Sequence, residues 1–474
     1  CGAGRIAGML GANGAYAAEA ADYLRGFSFS APAMIFMVAL LPIMQLDGDR
    51  KRPLSAVGLM TLINVCGDLL NGFVLHQGLF VMALATTISY YAAAGMLLMH
   101  FRKGGNLFRL SIRLPQIGTL KNLLSYGVPN ALQHLSRSFL TICLNHILLT
   151  VADEHAVAAY SAIYTASVLC MAFGTGIGQS TSVITGVLAG EKDAEGIRSL
   201  LREAMRTALV MNGLLTVLMF AAAPSAMGVV LHGDKAIHGM ATFGFRLYSL
   251  SIVFYAVNVT MRSYYQAMHK VHLAYPYVIL DNFLGTALAA WGLSRIFGLT
   301  GVWMSFLVGE AATLLVFVAI ALRNGTRGTL LERMLEIKPD FTEGISAIKT
   351  WSAASEDEVA LASHGISEFL HNNGATGREA YLLSLAAEEM GMNIIRYGFS
   401  DKKRHSIDIK AMKQDSSWIL RMRDDCILFD PVHYMESFDE PSPEAHIGIR
   451  MVNGMAKRME YVNTLKMNNL LIEI

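Results

Sequence analysis

Up to about residue 325 the chain is a near-continuous series of apolar runs, each long enough to cross a bilayer. Few folds other than a membrane helical bundle can use such a series. A membrane helix needs about 20 apolar residues. Candidate spans run near 27–46, 54–75, 79–101, 122–150, 156–189, 205–231, 242–268, 273–297 and 300–322, about nine in all. A water-soluble helical core mimics one or two such runs, not the whole series. Only 16% of residues are charged and 53% are apolar, and the net charge of +1 excludes a bulk nucleic-acid binder.

Basic residues cluster at Arg50–Arg52, through 102–121, through 192–206, at Lys270 and through 323–333. Pairs of spans separate these clusters, so all fall on one face of the membrane. The positive-inside rule makes that face cytoplasmic. The expected location is the inner (cell) membrane, multi-pass, with the C-terminal segment in the cytoplasm. Cys66, Cys143 and Cys170 lie in apolar runs, and no cysteine has paired or metal-ligand spacing. Cys426 is the one placed to react. The chain opens on Cys1 without an initiator Met, so a partial or processed form is expected.

An internal repeat runs through the apolar part. Residues 10–30 align without gaps to 231–251, an offset of 221, with identities Leu10/Leu231, Ala15/Ala236, Ala20/Ala241, Arg25/Arg246, Ser28/Ser249 and Ser30/Ser251. The same offset pairs Gln45 with Gln266; both end a span before a basic loop, and helix capping is their expected role. Two repeated bundles around a central site form a common transporter plan. If the copies are equal, about 100 residues, or three spans, are missing before Leu10.

The run from Met9-Leu-Gly-Ala through Tyr23-Leu-Arg, then Gln45-Leu-Asp-Gly-Asp-Arg-Lys-Arg-Pro, then Ile63-Asn-Val-Cys-Gly-Asp68, resembles the multidrug and toxic compound extrusion (MATE) family. Ala158-Ala-Tyr-Ser-Ala-Ile-Tyr164, Gly176-Ile-Gly-Gln179 and Gly190-Glu-Lys-Asp-Ala-Glu resemble a span of its second lobe. The resemblance implies two six-helix lobes and cation-coupled export. This chain would hold a partial first lobe (1–110, about three spans) and the second lobe (111–325, about six spans).

Asp68, Asp281, Glu310, Arg137 and Arg262 lie within or beside apolar runs. Each charge in lipid costs about 2.5–3.5 kcal/mol on insertion scales, so such groups face the bundle interior. Asp68, Asp281 and Glu310 are the transport candidates, for a coupling Na⁺ or H⁺ or a cationic substrate. Asp68 and Asp281 are expected at comparable places in the two copies. The alternative role for each is a structural hydrogen bond. His100, His134 and His146 read as satisfied core histidines. Tyr160, Tyr164, Tyr255, Tyr264 and Tyr265 suit a cavity for flat aromatic substrates or an interfacial belt.

Composition changes after Leu322. Residues 326–342 read as a cytoplasmic linker with a short amphipathic connector over Leu330–Ile337, broken by Pro339. From 343 to 474 the pattern predicts strand 345–351, helices 356–373 and 378–397, strands 405–412 and 416–423, a long loop, helix 446–459, then strands 459–464 and 468–474. This is an α+β two-layer sandwich with helices on one face.

Glu389 and Asn393, four apart on one helical face, with Asp424 after a strand and Gly448 opening a helix, resemble the GHKL ATPases and the anti-sigma-factor serine kinases. The resemblance implies ATP and Mg²⁺ as cofactors. Glu389 would be the general base and Asn393 the Mg²⁺ ligand. Asp424 would accept from the adenine amino group. Gly448 and Arg450 belong to the final glycine box, and Asn468 and Asn469 to the polar turn before the last strand. Cys426, Leu428 and His446 stand where that family has glycines, which restricts backbone approach to a nucleotide. The residues leave open whether this domain binds ATP only, turns it over, or binds a regulatory protein.

The leading expectation is a cation-coupled multidrug or organic-compound (xenobiotic) efflux antiporter. Its substrate would be a small organic molecule, cationic or aromatic, moved across the lipid bilayer. Its tail would sense nucleotide or a cytoplasmic regulatory partner. Two alternatives stand beside it. One is a membrane-anchored signalling protein with a serine-kinase or partner-switching tail; the other is a lipid-linked precursor flippase.

Overall fold

The computed structural model describes residues 2–9, 16–49, 51–102, 108, 116–231, 235–323, 328–337, 341, 344–399, 404–432, 447–464 and 467–474. The chain is mainly helical through its apolar part and ends in an α+β domain.

The first segment holds α1 (Ala3–Met9), α2 (Tyr16–Ser28), α3 (Ala31–Leu46), α4 (Lys51–Leu70), prolonged by a π turn at Asn71–Leu75, and α5 (Gly78–Leu98). Its core is Met37, Leu40, Met44, Ala56, Ala93 and Leu97. His100 is buried and satisfied: one ring nitrogen meets Asp47 at 2.5 Å and the other Asp49 at 3.1 Å.

The second segment, compact over Arg113–Thr342, holds α6 (Ile117–Val151), α7 (Glu154–Gly190), α8 (Ala194–Val230), α9 (Lys235–Ser249), α10 (Ile252–Ala267) and α11 (Val271–Ile279). A π turn at Leu280–Leu284 leads into α12 (Gly285–Phe297), followed by α13 (Leu299–Arg323) and α14 (Leu330–Leu335). Asp153 caps α7 by accepting from the Ala156 N–H (3.1 Å), and Asp193 caps α8 by accepting from the Gly196 N–H (2.9 Å). α7 and α8 are 37 residues each. At 1.5 Å per residue each is about 55 Å long, beyond the hydrocarbon thickness unless tilted or projecting.

Six helices among the described residues are long and apolar enough to cross a membrane, or eight when each of two bent pairs counts as one span. The bent pairs are α2 with α3 (51°) and α9 with α10 (47°). The remaining expected span, 122–150, lies within α6.

The bends explain the repeat. The break between α2 and α3 recurs between α9 and α10 at the offset of 221, and α3 and α10 correspond end to end. The identities fall on the break itself. Ser28 and Ser30 donate to the carbonyls of Arg25 and Phe27, and Ser249 and Ser251 donate to those of Arg246 and Tyr248, all at 2.7 Å. Each hydroxyl occupies a carbonyl three residues back where the helix ladder is interrupted. Gln45 and Gln266 close their helices through backbone carbonyls, which accept from the N–H groups of Gly48 and His269 (3.1 Å each). Side-chain capping by Gln266 is not what the structure has, since its Nε2 is buried with no partner among the described residues.

The offset also corrects one expectation. Asp281 corresponds to Met60 and Asp68 to Ala289, so the two aspartates do not occupy matching places. Asp68 lies near the end of α4 and is half-buried; Asp281 lies in the mid-span π turn and is buried.

α12 and α13 approach closely because Gly309 has no side chain. A Cβ there would lie 2.7 Å from the Thr286 backbone. Gly309→Ala is therefore expected to destabilise this hairpin by about 1–3 kcal/mol, read as a lower melting temperature of the detergent-solubilised protein.

The 326–342 segment is not a plain connector. Met334 and Leu335 are buried against Ile197, Leu201 and Phe317. The Tyr264 and Tyr265 hydroxyls donate to the carbonyls of Leu335 (2.7 Å) and Met334 (2.8 Å), and Lys270 Nζ donates to Leu335 (2.5 Å) and to Glu336. A cation at the C-terminal carbonyls of α14 complements the helix dipole. Pro339 lies outside the described residues.

The C-terminal domain runs β1 (Ile345–Ala353), α15 (Glu356–Asn372), α16 (Gly377–Asn393), β2 (Ile407–Gln414), β3 (Ser417–Asp424), α17 (Ile447–Met455), β4 (Arg458–Thr464) and β5 (Met467–Glu473). The sheet is antiparallel throughout, in the order β1-β2-β3-β5-β4. Alternation in β2 buries Ile407, Ile409 and Ala411 against Val359, Ile366, Leu383 and Ala387 of α15 and α16. Thr376 and Glu379 close a capping box that starts α16. The last helix is shorter than the predicted 446–459, because the chain enters β4 at Arg458 and pairs with β5.

Candidate functional site

Two sites emerge, one in each kind of domain. In the C-terminal domain, α16, β3 and β5 converge on a cavity of about 320 Å³. This is within the usual range of about 300–1,000 Å³ for ligand pockets. Asn393, Asp424, Asn468 and Cys426 line it, with apolar walls from Met390, Ile449 and Leu470. A π turn at Ile394–Gly398 extends α16 and carries Tyr397 to the same cavity.

Asp424 is the buried carboxylate of this cavity. Its Oδ1 accepts from Asn468 Nδ2 (2.7 Å) and from the Cys426 N–H (3.0 Å). Burial holds the Asp424 carboxyl above the usual range, against the lowering effect of these bonds. Asn468 Oδ1 in turn accepts from the Tyr461 hydroxyl (2.6 Å) and Asn463 (2.9 Å), which fixes the amide orientation. Asn469 instead takes a bond from Arg423 Nε (2.6 Å) on β3.

Glu389 lies one helical turn before Asn393 and meets α17 rather than the cavity lining. A Cβ on Gly448 would lie 2.1 Å from Glu389 Oε2, so the glycine is what admits that carboxylate. Glu388 is exposed on the neighbouring face, bonded to Ser363 (3.1 Å). Arg450, on α17, is half-buried. Cys426 and Leu428 line the cavity where glycines would leave open backbone. His446 lies outside the described residues.

The second site is a small cavity of about 70 Å³ within the 113–342 segment, lined by Asp281, Asn282, Glu310, Arg137 and several tyrosines. Arg262 and Asp281 form a buried ion pair through Oδ2. Asn282 also donates to Oδ2 (3.1 Å), and Arg137 Nε donates to Asn282 Oδ1 (2.9 Å). Asn258 donates to Glu310 Oε2 (2.7 Å) and accepts from the Tyr277 hydroxyl (2.9 Å). Asp281 Oδ1 is buried with no partner among the described residues.

The structure thus brings Asp281 and Glu310 together; Asp68 belongs to α4 of the first segment. Tyr160, Tyr164 and Tyr255 line the cavity, whereas Tyr264 and Tyr265 hold α14. Asn258, Asn282 and Tyr277 were not singled out from the sequence. Their signal was an amide or hydroxyl inside an apolar run, which is common in membrane helices.

The MatE family model matches residues 129–291, and the histidine kinase-like ATPase domain model matches residues 352–473. The multidrug export protein MepA of Staphylococcus aureus is 24% identical over 331 residues, covering 66% of this chain and 70% of its own length. The outward-facing conformation of a multidrug resistance MATE family transporter of the MOP superfamily superimposes with a TM-score of 0.61 at 21% identity, covering 66% of this chain and 72% of that one. A MOP superfamily transporter from Pyrococcus furiosus gives a TM-score of 0.61 at 22% identity over 68% of this chain and 73% of its own. The chain thus carries a MatE domain within a MATE-type transporter fold, followed by a C-terminal histidine kinase-like ATPase domain.

Proposed function

We propose that the chain exports small organic compounds in exchange for Na⁺ or H⁺, and that its C-terminal domain is a nucleotide-responsive regulator on the cytoplasmic side. The observation that carries the transport reading is the unpartnered buried oxygen of Asp281 in the same cavity as Glu310. A buried carboxylate oxygen without a donor is costly, and a proton or small cation supplies what it lacks. Tyrosine faces in that cavity suit an aromatic or cationic substrate. The cytoplasmic placement rests on the basic loops.

Reconstituted vesicles test the coupling. Efflux of a fluorescent organic cation is expected to follow an imposed Na⁺ or proton gradient without ATP. Export that requires ATP and ignores both gradients would sink the reading.

For the tail, the enclosed carboxylate of Asp424 with apolar walls fits a purine bearing an exocyclic amine, held by Asp424 Oδ2. Asn393 would hold Mg²⁺ beside the phosphates, and Glu389 would orient a nucleophile. Bound Mg²⁺-nucleotide would supply phosphoryl chemistry or act only as a signal. Asp424→Asn preserves an oxygen for Cys426 and Asn468 but replaces the acceptor with a donor. ATP affinity is expected to fall about 10–100-fold, the worth of a charged hydrogen bond, with the domain still folded. Titration of the purified full chain with a fluorescent ATP analogue measures it. The same variant removes a pH dependence. Because the Asp424 pKa is raised on folding, its stability contribution is present below the ordinary carboxylate range and lost as pH rises through the raised value.

A further inference from the structure

Cys426, besides lining the cavity with Asp424 and Asn468, has a second set of neighbours. One nitrogen of His405, one carboxylate oxygen of Asp425 and the Cys426 sulfur lie within 4.8 Å of one another. The fold builds this grouping. β2 and β3 pair antiparallel with Ile407 opposite Asp424. Continued two residues further, that register sets His405 opposite Cys426, with Asp425 beside it.

The three side chains are also held. His405 Nδ1 meets Asp425 Oδ1 at 2.8 Å, with 5% of the imidazole exposed, and its ring packs on Phe399 at 5.4 Å. The Cys426 N–H is tied to Asp424 Oδ1. Gly398 makes room for the thiol: a Cβ there would lie 2.9 Å from Cys426 Cβ and 3.2 Å from its sulfur.

We propose that His405, Asp425 and Cys426 form a binding site for a borderline-soft divalent cation such as Zn²⁺, at the edge of the C-terminal cavity. Sulfur, imidazole and carboxylate together select such a metal over Mg²⁺ or Ca²⁺, which take oxygen ligands. Metal–ligand lengths of about 2.0–2.3 Å put tetrahedral ligands roughly 3.3–3.7 Å apart, so small side-chain shifts close the site. Three protein ligands leave the fourth position to water or a ligand. Binding transfers the thiol proton to solvent and leaves a thiolate on the metal, so affinity rises with pH. Cys426 also lines the cavity. The residue that departs from the glycine-box pattern thereby becomes a metal ligand.

Cobalt(II) added to the detergent-solubilised full chain is expected to give a thiolate-to-cobalt charge-transfer band, displaced by Zn²⁺. Cys426→Ser should abolish the band, and His405→Ala should weaken binding by about tenfold or more. A variant lacking every other cysteine should keep it. No band in the wild type, or a band that survives Cys426→Ser, overturns the proposal. A measurement on the unmodified chain guards against misfolded variants: Zn²⁺ should slow alkylation of Cys426 by iodoacetamide, read by peptide mass spectrometry. Equal rates with and without Zn²⁺ overturn it as well. None of these readouts needs nucleotide or transport.

Discussion

Asp281→Asn and Glu310→Gln are each expected to reduce gradient-driven export at least about tenfold, reflecting loss of an ion–substrate coupling of about 1–3 kcal/mol. Passive substrate binding should survive. Asp281 Oδ1 is the oxygen without a partner, so it is where an incoming cation gains most. Glu310, held through Asn258 and Tyr277, supplies the second acid. Asp68→Asn is the control. It is not among the residues that line this cavity and should leave the gradient dependence intact. Parallel counterflow and gradient-driven assays in the same vesicles separate coupling from binding. If both acidic variants retain wild-type gradient dependence, the coupling ion binds elsewhere.

Removing either partner of the buried Arg262–Asp281 pair should destabilise the fold. Arg262→Ala leaves Asp281 as a buried charge whose partner is gone, at an expected cost of about 3–5 kcal/mol. Asp281→Asn in the same background should recover much of that loss, since a neutral amide needs no counter-ion. A double-mutant cycle on thermal unfolding in detergent measures both. A double variant no more stable than Arg262→Ala would mean that the arginine acts through packing alone.

The membrane class was legible because apolar runs of span length have few other uses. The repeat was legible through the serines that sit on the bends. What could not be read was where a span deviates from a regular helix. The π turn at Leu280–Leu284 places Asp281 and its neighbour Asn282 both in buried positions, and no periodicity announces such a turn. The aspartate pairing across copies failed on the offset alone, which sets Asp281 opposite Met60 and Asp68 opposite Ala289.

In the C-terminal domain, Glu389, Asn393 and Asp424 were visible because spacing on a helix and position after a strand are local properties. His405 was not. It meets Cys426 only through strand register, 21 positions away in the chain. The amphipathic connector was legible, but not what it packs on, because Tyr264, Tyr265 and Lys270, which grip α14, lie some 65–71 residues before it.

The bent helix pair occurs twice, but its electrical content does not. At the offset of 221, Arg262, Asp281, Glu310 and Asn258 correspond to Leu41, Met60, Ser89 and Met37. Met37 belongs to an apolar core and Ser89 is buried. The first copy keeps the joint without these four polar groups, while the second carries all four. Duplication here separated mechanics from energetics. On the proposed coupling, a change of ion selectivity would fall on Asp281, Glu310 and their neighbours, while the first copy would need only to preserve the bend.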